Sequence, residues 1–162
     1  MLDKEEVRAV LPGAGDVPQG WEKSGSLRLL GAEPKEGLLA LGTQGYAASD
    51  LEGFVGFGVQ SFQTPAGAIA RYARTKSQMG TAQIGPAQIP GVDAAFTASH
   101  CLSQNHCSTS ITVRVGPVYA YVNINTDGPE AADSKILNSA TRMLVQRIQQ
   151  AQQGQAPSAK AV

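Results

Sequence analysis

A chain of 162 residues with 42 % hydrophobic content suits one globular domain with its own core, and this excludes a disordered chain. Thirteen basic and thirteen acidic side chains cancel and no basic stripe is present, so a nucleic-acid partner has no electrostatic footprint. Only 16 % of residues are charged, and no apolar run reaches the roughly 18 residues that a membrane-spanning helix needs.

The first ten residues, MLDKEEVRAV, lack the apolar core of a signal peptide and the start signature of N-myristoylation. The protein is therefore expected either in the cytosol or behind a removed export signal or membrane anchor. Asp3 followed by Glu6 has the spacing of a capping box, with Val7, Val10 and Leu11 behind it, which predicts a short helix from Lys4 to Val10. LPGAGDVPQGW then breaks the chain with two prolines and three glycines. Trp21, the one tryptophan, reads as a core anchor for this loop, with ligand stacking as the other reading.

Ser24–Gly31 and Leu38–Tyr46 are strand candidates around a turn that contains Pro34, although Leu38–Gly42 also suits a short helix. Ala47–Glu52 reads as a loop. Phe54–Phe62 is a clear strand: Val55, Phe57 and Val59 share one face, and Gly56 and Gly58 leave the other without side chains. Such bare positions suit a close neighbour, a bulge or a ligand surface, and a helix packed on the sheet is the favoured neighbour. Thr64-Pro65 opens a second helix, with Ile69, Tyr72 and Ala73 at helical spacing and Arg71, Arg74 and Lys76 in its second half.

Thr81–Ile89 is predicted extended and interrupted at Pro86, and Ala94–Ser99 is predicted as a further strand after the Pro90-Gly91 turn. Ile111–Asn125 is the clearest hairpin. Ile111, Val113, Val115, Val118, Ala120, Val122 and Ile124 fall on one face, and Arg114, Tyr119 and Tyr121 on the other. Gly116-Pro117 between the arms fits a type II′ turn. A last helix is predicted from Glu130 to Gln150, with Ile136, Leu137, Ala140, Met143, Leu144 and Ile148 as its stripe and Arg142 and Arg147 at its flanks. Residues 151–162 carry no stripe and are expected to be disordered. The pattern predicts one α+β domain over residues 1–150, an antiparallel sheet with helices packed on it.

His100–Gly116, HCLSQNHCSTSITVRVG, holds both cysteines of the chain, each preceded by one of its two histidines. The favoured reading is a disulfide between Cys101 and Cys107, because the polar LSQNH segment lets the chain fold back. Such a bridge stabilises by about 2 to 3 kcal/mol and demands an oxidising compartment. A zinc or copper site of His100, Cys101, His106 and Cys107 has suitable ligand types, but adjacent ligands point to opposite faces of a strand. A catalytic Cys–His pair is the third reading. Nucleophile-elbow, phosphate-loop, dinucleotide, metalloprotease and EF-hand motifs are absent, and Asp50, Glu52 and Asp93 make only a speculative acid set.

The segments LPGAGDVPQGW, FVGFGVQSF, TPAGAIARYA, IPGVDAAF and ITVRVGPVYAYVNI, followed by an amphipathic helix, occur in an order that resembles one group of domains. These are the small extracytoplasmic domains of actinobacteria, found in cell-envelope lipoproteins and as the extracellular sensors of PknH-like kinases. The resemblance covers most of residues 3–150. It implies an exported α+β domain with structural disulfides that senses a ligand or binds the envelope and does no catalysis. Two departures stand out: the PknH-type sensor has two disulfides where this chain can form one, and Val92 replaces the usual glycine before Asp93. No functional residue carries over.

The leading expectation is a non-catalytic ligand-binding or sensor domain, the soluble part of a lipoprotein, with a membrane tether ahead of Met1. A small molecule or lipid would bind through Trp21, Arg114, Tyr119 and Tyr121, with no metal or other cofactor. The alternatives are an accessory subunit that binds a protein partner and, behind it, an enzyme such as a hydrolase, or a metal-binding protein, using Asp93, His100 or His106.

Overall fold

The computed structural model describes residues 1–33, 37–103, 105–128 and 132–161. Helix α1 spans Lys4–Val10. Asp3 accepts from the Glu6 amide at 2.8 Å and Glu6 accepts from the Asp3 amide at 2.7 Å, closing the capping box. The helix stops at Leu11, whose extended backbone is what the following Pro12 imposes. Val7 and Val10 are fully buried.

Seven strands follow the order β1-β2-β3-β7-β6-β5-β4, every pair antiparallel. Their ranges are β1 Trp21–Leu30, β2 Leu38–Ala48, β3 Gly53–Phe62, β4 Gln83–Pro86, β5 Ala94–Ser103, β6 His106–Val115 and β7 Val118–Thr126. The α+β class with an antiparallel sheet is therefore as expected. Leu38–Gly42 is strand, because Leu41 and Gly42 pair with both β1 and β3. Part of the expected loop, Ala47 and Ala48, continues that strand, and a single 3-10 turn, Ser49–Leu51, leads to β3. Pro34 lies outside the described residues. Gly116 has φ 56°, which meets the demand of the β6–β7 turn, and Pro117 follows it.

Valines and isoleucines of one sheet face form the main core. Val55, Val59, Val113, Val118, Val122 and Ile124 lie there beneath α1 and α3, the latter spanning Ser134–Gln152. The expected start of α3 at Glu130 falls partly outside the described residues, but Ala132 and Asp133 are described and are not helical. Asp133 is the N-cap, accepting from the Lys135 amide at 2.8 Å.

Arg147 differs from its expected place at the flank of α3, for it is 5 % exposed. Its guanidinium donates to the carbonyls of Ala9 and Val10, left open at the end of α1, and to that of Ala159, and it pairs with Asp16 at 3.1 Å. The tail expected to be disordered packs back as far as it is described, to Ala161. Gln150 binds Ser158 and the Ala159 amide, the Ala161 amide donates to Asp16 O at 2.8 Å, and Ala161 joins the core. Hydrogen bonds and one buried arginine hold this segment, so the lack of an apolar stripe did not reveal it.

Helix α2, Pro65–Ser77, packs on the opposite face. Ala68 and Tyr72 meet Leu38, Phe62, Tyr119 and Tyr121 in a smaller cluster. Thirteen residues cover only one end of that face, and the rest stays open.

Candidate functional site

The open part of the second face is read off the strand register. One row across six strands is Ser24, Gly45, Gly56, Asn123, Ser110 and Ala98. The next is Arg28, Thr43, Gly58, Tyr121, Thr112 and Phe96. These residues share a face because side chains alternate along a strand and register partners point the same way.

The expected helix over Gly56 and Gly58 is replaced by side chains of β7. A Cβ on Gly58 would run into the Tyr121 ring, and one on Gly56 into the Asn123 amide. The two bare positions let Tyr121 and Asn123 lie against the sheet. Gly45 does the same for the Phe54 ring.

Two cavities open on this face. One, about 270 Å³, is bordered by Met79 and Tyr119 at the α2 end and by His100, Ser108, Ser110 and Thr112 along β5 and β6. The other, about 540 Å³, lies over β1, β2 and β3 and includes Arg28 and Phe54. Tyr121 and Asn123 border both. Burial raises the Tyr121 hydroxyl pKa, the neighbouring Tyr119 adds to this, and Arg71 works against it. Tyr121 is therefore a neutral hydrogen-bonding group at ordinary pH.

The four residues expected to bind ligand are not gathered together. Tyr119 and Tyr121 are neighbours, with ring centroids 6.2 Å apart. Tyr119 is 3 % exposed beneath α2, where Thr75 donates to its hydroxyl at 3.2 Å and the Arg71 guanidinium lies 5.5 Å from its ring centre. Arg114 faces the same side but is held by Asp93 at 3.0 Å, and the same carboxylate oxygen accepts from the Gly116 amide at 2.6 Å. That pair ties the β6–β7 turn to the start of β5. Trp21 belongs to the main core on the other face and donates to Asp50 at 3.0 Å, so it anchors its loop.

Cys101 and Cys107 are register partners on β5 and β6 and are joined by a disulfide. The two cysteines thus face each other near the end of a hairpin, Cys101 in β5 and Cys107 in β6. Their sulfurs are bonded to each other, so they supply no thiolate to a metal or a substrate. His100 faces the first cavity, while His106 lies 3.1 Å from Asp127 on the surface. Sequence reading missed Ser108, Ser110, Thr112 and Asn123. Their alternation with Cys107, Thr109, Ile111 and Val122 was the available signal.

No family model matches the chain, and no curated protein matches it in sequence. Among solved structures, it is similar to the crystal structure of the extracellular domain of PknH from Mycobacterium tuberculosis. The TM-score is 0.60 at 12 % identity, over 89 % of this chain and 94 % of that one. At this identity the likeness is one of fold: the two chains share an architecture over nearly their whole lengths.

Proposed function

We propose that this chain is a non-catalytic, extracytoplasmic ligand-binding domain of the sensor type, whose site is the open part of the second sheet face. One observation carries the reading: α2 leaves most of that face uncovered, and two cavities meet there at Tyr121 and Asn123. Concave surfaces with a few convergent polar groups are the usual form of small-molecule sites. The disulfide favours an oxidising compartment. The fold shared with the extracellular domain of PknH supports the same side of the membrane. A tethered, lipoprotein-like placement at the cell envelope fits both.

The enzyme reading is weaker because, among the described residues, no carboxylate borders the cavity that His100 lines. Asp93 is taken up by Arg114 and the Gly116 amide, and Asp127 pairs with His106 on the surface. Native mass spectrometry of freshly purified protein tests the proposal. An added small-molecule mass that is lost in Tyr121→Ala supports it, and a ligand whose binding survives that change sinks it.

A protein partner is the second reading, favoured by the end of the β5–β6 hairpin. Leu102 there is 75 % exposed beside the disulfide. A stoichiometric partner lost on Leu102→Ser would favour this reading.

A further inference from the structure

We propose that the ligand is a neutral, polyhydroxylated chain, a glycan, lying across the strands in the trough that the two cavities share. This rests on the second face being the ligand site. The first argument is shape. The row from Ser24 to Ala98 crosses six strands, and five steps of about 4.8 Å give a trough about 24 Å long. An elongated ligand fits it better than a compact one.

The second argument is charge. Among the described residues bordering the two cavities, Arg28 is the one formally charged side chain, and there is no carboxylate. A phosphate or carboxylate ligand calls for several arginines or lysines, and a cation calls for acids or an aromatic cage. A neutral ligand needs neither.

The third argument is the pairing of rings with hydroxyls. Phe54, 37 % exposed, lies across Gly45, and Tyr121 lies across Gly58. Around them stand Ser24, Thr43, Ser108, Ser110 and Asn123. A sugar ring has apolar C–H faces that pack on aromatic rings and a rim of hydroxyls that both donate and accept. Serine and threonine hydroxyls and asparagine amides match that rim, since they also do both. A lipid tail would call for an enclosed apolar cavity, whereas this trough lies open on a sheet and is edged with hydroxyls.

The test is titration of isotope-labelled protein, followed by backbone amide NMR, with a panel of neutral gluco-, manno-, galacto- and arabino-oligosaccharides. Phosphatidylcholine vesicles form a separate arm. At least one oligosaccharide should move the amides of Ser24, Gly45, Gly56, Asn123 and Ser110, with an affinity that changes little with salt. Phe54→Ala, which removes a partly exposed ring, and Ser110→Gln, which fills the trough, should each weaken binding about tenfold. If no oligosaccharide of the panel binds, or both variants bind unchanged, the glycan assignment is overturned. If the vesicles alone move these amides, the glycan assignment falls and the site stands. If oligosaccharide shifts map to the α1–α3 side, the site falls with it.

Discussion

The Tyr121 ring lies across Gly58, its register partner on the adjacent strand, in the space where any other residue would place a Cβ. Glycine inside a strand forfeits packing, and here an aromatic side chain from the neighbouring strand restores it. The pair acts as one unit that floors the junction of the two cavities.

Gly58→Ala should therefore destabilise the domain by about 1 to 3 kcal/mol, since the methyl group must displace a half-buried ring. In a Tyr121→Ala background the same change should cost markedly less. Urea unfolding of the four proteins in a double-mutant cycle checks this, and additive effects would contradict the coupling.

Arg147 joins the end of α1, the Pro12–Gly20 loop and the C-terminal segment through one buried guanidinium. Arg147→Met strands two helix-end carbonyls and the Asp16 carboxylate, so a loss of about 3 to 5 kcal/mol is expected. Arg147→Lys should recover only a small part, because one ammonium cannot reach acceptors spread around a planar fork. Hydrogen exchange should show residues 155–161 losing protection first.

Cys101 and Cys107 staple the free end of one hairpin, and the loop they close is short. Replacing both with serine should lower stability by about 2 kcal/mol on chain-entropy grounds. The fold of this variant should survive on its remaining contacts, with faster amide exchange confined to His100–Ser108. Global loss of structure on reduction would show that the bridge does more than staple.

Tyr46 is fully buried and donates to Pro12 O at 2.6 Å. Burial, with the Asp16 charge adding and Arg147 opposing, pushes its pKa from 10.0 to about 12. A group whose folded pKa is raised holds its proton longer in the fold. Its contribution to stability is whole below pH 10 and is lost as pH rises through about 12. The upward shifts of Tyr72 and Tyr121 act in the same sense. Denaturant melts between pH 9 and about 12 should show a fall in stability that is shallower in Tyr46→Phe. An unchanged slope would place the alkaline transition elsewhere.

Local pattern alone determined the capping box of α1, the alternating faces of β3, β6 and β7 and the Gly116-Pro117 turn, and it favoured a bridge between Cys101 and Cys107 over a metal site or a catalytic pair. Each depends on residues near one another in the chain, where a period of two or 3.6, a cap or a turn leaves a direct trace. The class of the fold follows from their sum. Tertiary structure decided what those elements meet. Trp21 and Tyr121, both aromatic residues with a polar handle, ended on opposite faces, because their register partners, Ala48 for Trp21 and Gly58 for Tyr121, lie on opposite faces of the sheet. Arg147 reads as a flank of its helix until the end of α1, far away in sequence, offers it carbonyls. The trough on the second face exists because α2 is too short to cover six strands and because glycines on β2 and β3 admit rings from their neighbours. Neither the reach of a helix over a sheet nor the register between distant strands is written in any local stretch, so the site became visible only when the chain was folded.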